Sequence, residues 1–444
     1  MTPFDVPLWF LLPYLFLVGA VLGSFLNVCI YRIPRHEDLR SQLTGLWSPP
    51  SHCPRCRHRI PLRDNVPILG WLRLRGRCRF CRGRISPRYP LIELFNGLLF
   101  VIVYWAEIPF DADAAAEAAR LATPLGPQMF AAPHETAFLF WRYAYHMVLL
   151  EALLVASMID IDLRIIPDGS TLPAMLIGVV AAFASGRLFL VPVWFQEPGL
   201  VRTLGDFLPA WLVGLTDLGD AVSPAWIAEH PHWHGLAVSV AGLVVGGGLV
   251  WVVRIIGQWT LRQEAMGFGD VILMALIGSY LGWQPTIVVF FLAPVCALAV
   301  VALAFVFRRQ REIPYGPYLS AAALLLLAFW PSIWPIAERF FSIGPLLAPV
   351  AVAGVVSLAA SLMLMQFVKR LLGIPLAPPQ EEWIEEWTSA DQLTFFAGES
   401  VDHQQGRWRS DEWPGIAAGR GTLHEQRWKH GGTPGALPHR NGWR

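Results

Sequence analysis

Hydropathy divides this chain before any motif is considered. Apolar stretches run from Leu8 to Tyr31, Leu91 to Trp105, Phe138 to Ile159 and Leu172 to Trp194. Others run from Gly235 to Ile256, Val271 to Leu281, Thr286 to Phe307, Tyr318 to Ile333 and Pro345 to Phe367. Most approach the roughly 20 residues that a helix needs to cross a bilayer. The pattern therefore predicts an all-α, polytopic membrane bundle of about nine transmembrane helices. The stretch from Val271 is short, and is expected to be tilted, broken or extended by its flanks. The first stretch has no basic segment before it and no small-residue cleavage site after it. A retained span is expected there rather than a signal peptide.

Arginine and lysine orient the bundle. From Arg32 to Arg88 there are 14 arginines against three acids, Glu37, Asp38 and Asp64, which predicts a cytoplasmic loop. From Glu107 to Glu135 there are one arginine and five acids, as expected of an external loop. Alternation then puts 161–170, 257–270, 308–311 and the tail inside, with the N-terminus outside. The expected organisation is a first helix over 1–31, an Arg-rich tetracysteine zinc loop over 32–90, a membrane core over 91–372, and a polar, Trp-rich tail over 373–444. Residues 111–134 and 196–234 read as external insertions. The tail has no pattern that builds a core and is expected to be disordered or to lie on a surface.

Composition agrees with the hydropathy. The 444 residues are 55% hydrophobic and only 15% charged, less polar surface than a soluble domain needs. A net charge of +1 argues against nucleic acid as a partner. Six cysteines in a chain of this length do not make a disulfide scaffold.

Four of those cysteines form a pattern. Cys53-Pro-Arg-Cys56 is followed, 21 residues later, by Cys78-Arg-Phe-Cys81. Two such knuckles can present four thiolates to one tetrahedral ion, and an all-sulfur set suits Zn2+. A closed four-sulfur site has no open position for substrate, so the ion is expected to be structural. The neighbouring arginines are expected to lower the thiol pKa values. His52 and His58 are weaker candidate ligands, and a redox pair or unliganded thiols are the alternatives.

Two acidic sites carry the other chemistry. Asp160, Asp162 and Asp168 fall where the third stretch meets the cytoplasm, and Pro167 turns the chain there. Gly267-Phe268-Gly269-Asp270 opens the sixth stretch at the same face. Its glycines permit close backbone approach, and a helix N-terminus favours an ionised carboxylate. Taken singly, each acid is equally an ordinary solvated or N-cap residue. Taken together they are a carboxyl pair that can share a proton and hydrolyse a peptide without a metal. The chain offers no Ser/His/Asp set and no HExxH. A transporter relay through Glu93, Glu151 and Asp270, or a catalytically silent scaffold, are the rival readings. Neither mid-membrane acids nor inverted repeats are evident to favour the relay.

In order along the chain come Gly23-Ser24-Phe25-Leu26-Asn27-Val28 with Tyr31-Arg32-Ile33-Pro34, the two knuckles, and Ile85-Ser86-Pro87-Arg88-Tyr89-Pro90-Leu91-Ile92-Glu93. Asp160 through Asp168, Met266-Gly267-Phe268-Gly269-Asp270 and Pro314-Tyr315-Gly316-Pro317-Tyr318 follow. With these blocks the sequence resembles the type IV prepilin leader peptidases, membrane aspartic proteases with a GxGD motif. The resemblance implies an endopeptidase that removes the basic leader of prepilins or secretion pseudopilins at the cytoplasmic face of the inner membrane. Asp160 and Asp270 would be catalytic, supported by Gly267 and Gly269. The family's first aspartate lies seven residues before the proline, which selects Asp160 over Asp162 and leaves Asp168 as a turn acid. Members with the cysteine loop commonly also N-methylate the new terminus with S-adenosylmethionine, so that cofactor is implied as well. No Gly-rich strand–turn–helix motif marks its pocket. The implied partners are prepilin precursors and membrane lipid, whose anionic headgroups suit the arginine-rich loop.

Overall fold

The computed structural model describes residues 6–36, 38–47, 50–108, 135–199, 203, 222–261, 266–306, 314–344 and 347–372. The insertion at 111–134, part of that at 196–234, the basic cluster at 308–311 and the tail from 373 lie outside the described residues. The described elements are helices α1 (Leu8–Arg32), α2 (Leu39–Thr44), α3 (Leu69–Arg73), α4 (Arg88–Glu107), α5 (Glu135–Leu163) and α6 (Asp168–Ser185). Next come α7 (Trp226–Glu229), α8 (Pro231–Leu261), α9 (Phe268–Leu281), α10 (Trp283–Val306), α11 (Gly316–Ala328), α12 (Trp330–Phe341) and α13 (Leu347–Leu371). Among the described residues, extended pairing is limited to two isolated bridges in the cysteine loop.

The protein is a multi-pass membrane helical bundle. Helices α1, α4, α5, α6, α8, α10 and α13 are each long and apolar enough to cross a membrane, and the bent pair α11–α12 makes an eighth candidate. Helix α9 occupies the short sixth stretch with 14 residues. It is apolar nearly all round, as a helix sheathed by others must be, and every residue from Leu273 to Leu281 is buried. Small residues allow that enclosure. A Cβ on Gly242 of α8 would strike the carbonyl of Gly278 in α9, and one on Gly278 would strike that of Gly242. Backbones can approach this closely only where side chains are absent. Helix α1 packs on α4 in the same way: a Cβ at Gly19 would lie 2.7 Å from Phe100, and one at Gly23 would lie 2.9 Å from the Glu93 Cα. Helix α13 has no buried residue and presents an apolar surface on all sides.

Two stretches depart from simple spans. The one expected from Tyr318 to Ile333 breaks at Phe329, where α11 and α12 meet at 98°. The one expected from Leu172 to Trp194 ends its helix at Gly186, whose φ of 67° forms a left-handed cap. The irregular chain beyond it is buried, and its polar groups are met by side chains. Trp283 Nε1 donates to the Val193 carbonyl at 2.7 Å, Gln284 Nε2 donates to that of Pro192 at 2.8 Å, and Val193 N–H donates to His234 Nε2 at 3.1 Å. Non-helical backbone near a membrane is tolerated when protein satisfies it in this way.

Candidate active site and cysteine module

Asp160 lies one turn before the end of α5 and Asp270 lies in the first turn of α9. Both are buried, at 6% and 8% exposure, and the two carboxyls interact electrostatically. The local backbone explains how they meet. Arg164 ends α5 with a φ of 55°, its N–H still donating to the Asp160 carbonyl at 2.9 Å. The chain then turns through Ile166 and Pro167 into α6. Ile166 seats the start of α9, since a Cβ at Gly269 would lie 3.1 Å from its side chain. Helix α11 closes the third side: a Cβ at Gly316 would lie 2.5 Å from Asp160 Oδ2, and Tyr315 lies within electrostatic reach of Asp270.

The glycines are not equivalent. Space is tight at Gly269 and Gly316, whereas a Cβ at Gly267 would meet nothing closer than Asp270 Oδ2 at 3.8 Å. Gly267 also has an ordinary φ of −68°, so neither sterics nor backbone demands glycine there.

The other acids do other things. Asp162 is two residues beyond Asp160 and so points to a different side of α5. It accepts from Arg88 Nη1 at 2.7 Å, while Arg88 Nη2 donates to the Met158 carbonyl at 3.3 Å, which ties α4 to α5. Asp168 is exposed at the first turn of α6. Glu151 is nine residues before Asp160, roughly 14 Å along the helix. It accepts from Asn96 Nδ2 at 2.7 Å, and the same amide donates to the Gly19 carbonyl at 2.8 Å. That knot joins α1, α4 and α5, well away from the acidic pair.

The four cysteines converge. Their sulfurs all lie within 4.8 Å of one another, and the Cys53–Cys81 and Cys56–Cys78 pairs are each separated by 3.9 Å. A tetrahedral ion with ~2.3 Å bonds to sulfur sets its ligands roughly 3.8 Å apart, so the set fits such a metal. The two knuckles repeat one backbone design. Arg57 and Arg82 follow the second cysteine of each with a φ of 58°. Arg57 N–H donates to the Cys53 carbonyl at 2.8 Å, and Arg82 N–H to that of Cys78 at 3.0 Å. Burial pushes the Cys53 thiol up to about 12. Burial acts on Cys78 too, but N–H groups of Cys81 and Phe80, with the neighbouring sulfurs, outweigh it and draw that thiol down to about 7. At Cys78 the backbone donors favour the thiolate. His58 stacks on Phe80 with ring centres 4.6 Å apart, and neither it nor His52 belongs to the cluster. Arg79, inside the second knuckle, grips buried Asp64 through Nε at 2.6 Å and Nη2 at 2.5 Å.

Residues 17–107 match the bacterial peptidase A24 N-terminal domain, and residues 147–303 match the type IV leader peptidase family. The chain belongs to the type IV leader peptidase family. It is 30% identical over 346 residues to the prepilin leader peptidase/N-methyltransferase of Aeromonas hydrophila, covering 73% of this chain and 93% of the relative. The type 4 prepilin-like proteins leader peptide-processing enzyme of Escherichia coli O78:H11 is 30% identical over 317 residues, covering 69% and 89%. The prepilin leader peptidase/N-methyltransferase of Aeromonas salmonicida is 29% identical over 347 residues, covering 73% and 93%. No solved structure matches the chain.

Within this peptidase, the sequence brought out the acids and the cysteines but gave no role to Gly316, Ile166 or Arg88. Pro314 to Tyr318 stood out as a block, yet a glycine near a proline is common in any turn. Only the packing of α11 on α5 shows what Gly316 touches.

Proposed function

We propose that this peptidase cleaves the basic leader from type IV prepilins or pseudopilins with Asp160 and Asp270 as its catalytic pair. It would work at the cytoplasmic face of the inner membrane and then N-methylate the new terminus. The observation that carries the assignment is the burial of these two interacting carboxyls at one end of the bundle, against Gly316. Two adjacent carboxyls in a poorly solvated site share one proton. The ionised one takes a proton from the attacking water. The protonated one donates to the scissile carbonyl oxygen and then helps transfer a proton to the departing amine. Asp162 is engaged with Arg88 and is the less suited partner.

The arginine content of 32–88 supports a cytoplasmic setting for this end. A prepilin is itself a membrane helix with a basic leader, so lateral diffusion brings its junction to the buried pair. The sulfur tetrahedron supports a structural zinc, which would hold two knuckles that have almost no apolar core of their own. S-adenosylmethionine, when bound, supplies the methyl group. Incubating purified protein with a prepilin in detergent, followed by mass spectrometry, tests the reading. A leaderless product is expected, carrying one added methyl when the cofactor is present. An intact precursor would overturn the peptidase assignment.

A further inference from the structure

We propose that Gln42, on α2 of the arginine-rich loop, is a positioning residue for leader removal. It caps α6 from outside, and so fixes the turn that sets Asp160 against Asp270. This rests on the peptidase reading above.

Helix α6 begins without a cap of its own. Its N-cap residue is Pro167, which has no side-chain acceptor for the orphan N–H groups of the first turn. Gln42 supplies that acceptor from 127 residues away. Its Oε1 accepts from the Gly169 N–H at 2.6 Å, the second helical position that a local cap would serve. The fit is close, because a Cβ at Gly169 would lie 2.5 Å from the same oxygen. Gln42 is buried, and its Nε2 donates to the His36 carbonyl at 3.0 Å, which fixes the orientation of the amide. Helix α2 is held at both ends in turn. Asp38 Oδ2 accepts from the Ser41 N–H at 2.9 Å, and Arg32 Nη1 donates to the carbonyls of Gly45 and Leu46, each at 3.1 Å.

The turn before α6 carries this restraint to the site. Ile166 stands between the two glycines that flank the acidic pair. A Cβ at Gly269, next to Asp270, would lie 3.1 Å from the Ile166 side chain, and one at Gly316, which packs on Asp160, would lie 3.5 Å from it. Only Pro167 and Asp168 separate Ile166 from Gly169, and the proline ring leaves that link little freedom. A shift of the first turn of α6 therefore moves Ile166 against both glycines.

Gln42 lies within residues 17–107, and Gly169 within 147–303. The bond thus crosses from the N-terminal domain to the leader peptidase domain, and gives the first a part in the chemistry of the second.

The test compares two variants. Gln42→Met keeps the length of the side chain and removes the acceptor. Gln42→Glu keeps an acceptor oxygen at a helix N-terminus, where negative charge is favoured. Leader removal by protein purified in detergent is measured over a range of prepilin concentrations. Gln42→Met is expected to lower kcat by about tenfold or more, with KM changed by less than about threefold, as for a displaced catalytic group. Gln42→Glu should recover much of that loss. In hydrogen-exchange mass spectrometry the segment from Arg164 to Leu172 should exchange faster in Gln42→Met, while α8 and α10 match the wild type and so show an intact bundle. A wild-type kcat in Gln42→Met, a rise in KM alone, unchanged exchange, or a Gln42→Glu no better than Gln42→Met would each overturn the proposal. A wild-type protein that left the precursor intact would instead overturn the peptidase reading beneath it.

Discussion

Gly316 meets Asp160 where α11 crosses α5, and the contact has no room for a side chain. A Cβ built on Gly316 would stand 2.5 Å from Asp160 Oδ2. Asp160 is short and buried, so it could yield only by leaving its position. Gly316→Ala is therefore expected to lower prepilin processing by about 10²-fold, the scale of a displacement of about 1 Å in a catalytic group. The assay is leader removal by protein purified from membranes in wild-type amounts. A wild-type rate would show that the contact does not position Asp160.

Replacing the acids separates their roles. Asp160→Asn and Asp270→Asn should each slow leader removal by about 10²–10⁴-fold, the range for a general acid or base, while insertion is unaffected. Asp162→Asn should retain most activity, because its loss breaks the link to Arg88 rather than the carboxyl pair. If Asp162→Asn were as inactive as Asp160→Asn, the choice between them would have to be reopened.

The cysteine cluster predicts one zinc ion per chain in metal analysis of the purified protein. Cys53→Ser and Cys78→Ser should each reduce that content strongly, since removing a sulfur opens the tetrahedron. A chelator should lower the thermal stability of the wild type. Undiminished zinc in both variants would sink the four-sulfur site.

The grip of Arg79 holds the Asp64 carboxyl below the usual carboxylate range. A group with a depressed folded-state pKa adds stability that is complete above the unfolded value of about 3.9 and is lost as pH falls through the folded value. The difference in thermal midpoint between wild type and Asp64→Asn should accordingly be constant from pH 7 to 5. It should shrink as the pH falls below about 4. A difference that grew on acidification would refute the pairing.

The glycine contact between α8 and α9 should tolerate little. Gly278→Ala would drive a Cβ into the Gly242 carbonyl, and overpacking of this kind costs about 1–3 kcal/mol. A lowered thermal midpoint is expected, together with reduced processing, because α9 carries Asp270. An unchanged midpoint would mean that the two helices can separate freely.

What could be read from the chain alone was whatever repeats locally. Spans of roughly 20 apolar residues are local, so the helices from Leu8 to Leu371 were legible as stretches before any fold was considered. The knuckles were legible too, because a Cys-x-x-Cys turn brings its own pair of sulfurs together. The break at Phe329 was not: the stretch from Tyr318 to Ile333 is apolar on both sides of the bend. Trp334 is buried at the far end of the bundle against Phe195, with ring centres 6.1 Å apart, a contact that no run of hydropathy records.

For the acidic pair, the order of residues along the chain was enough to put carboxyls near one membrane face. It did so through charge asymmetry, the Gly267–Asp270 motif and the blocks that resemble a peptidase family. Tertiary structure decided which groups they meet. It set Asp160 against Gly316 and gave Asp162 to Arg88. The reason is distance along the chain. Gly316 is 156 residues from Asp160, and Asp162 is 74 residues from Arg88. Contacts at that separation depend on how whole helices pack, which the residues on any one helix do not specify.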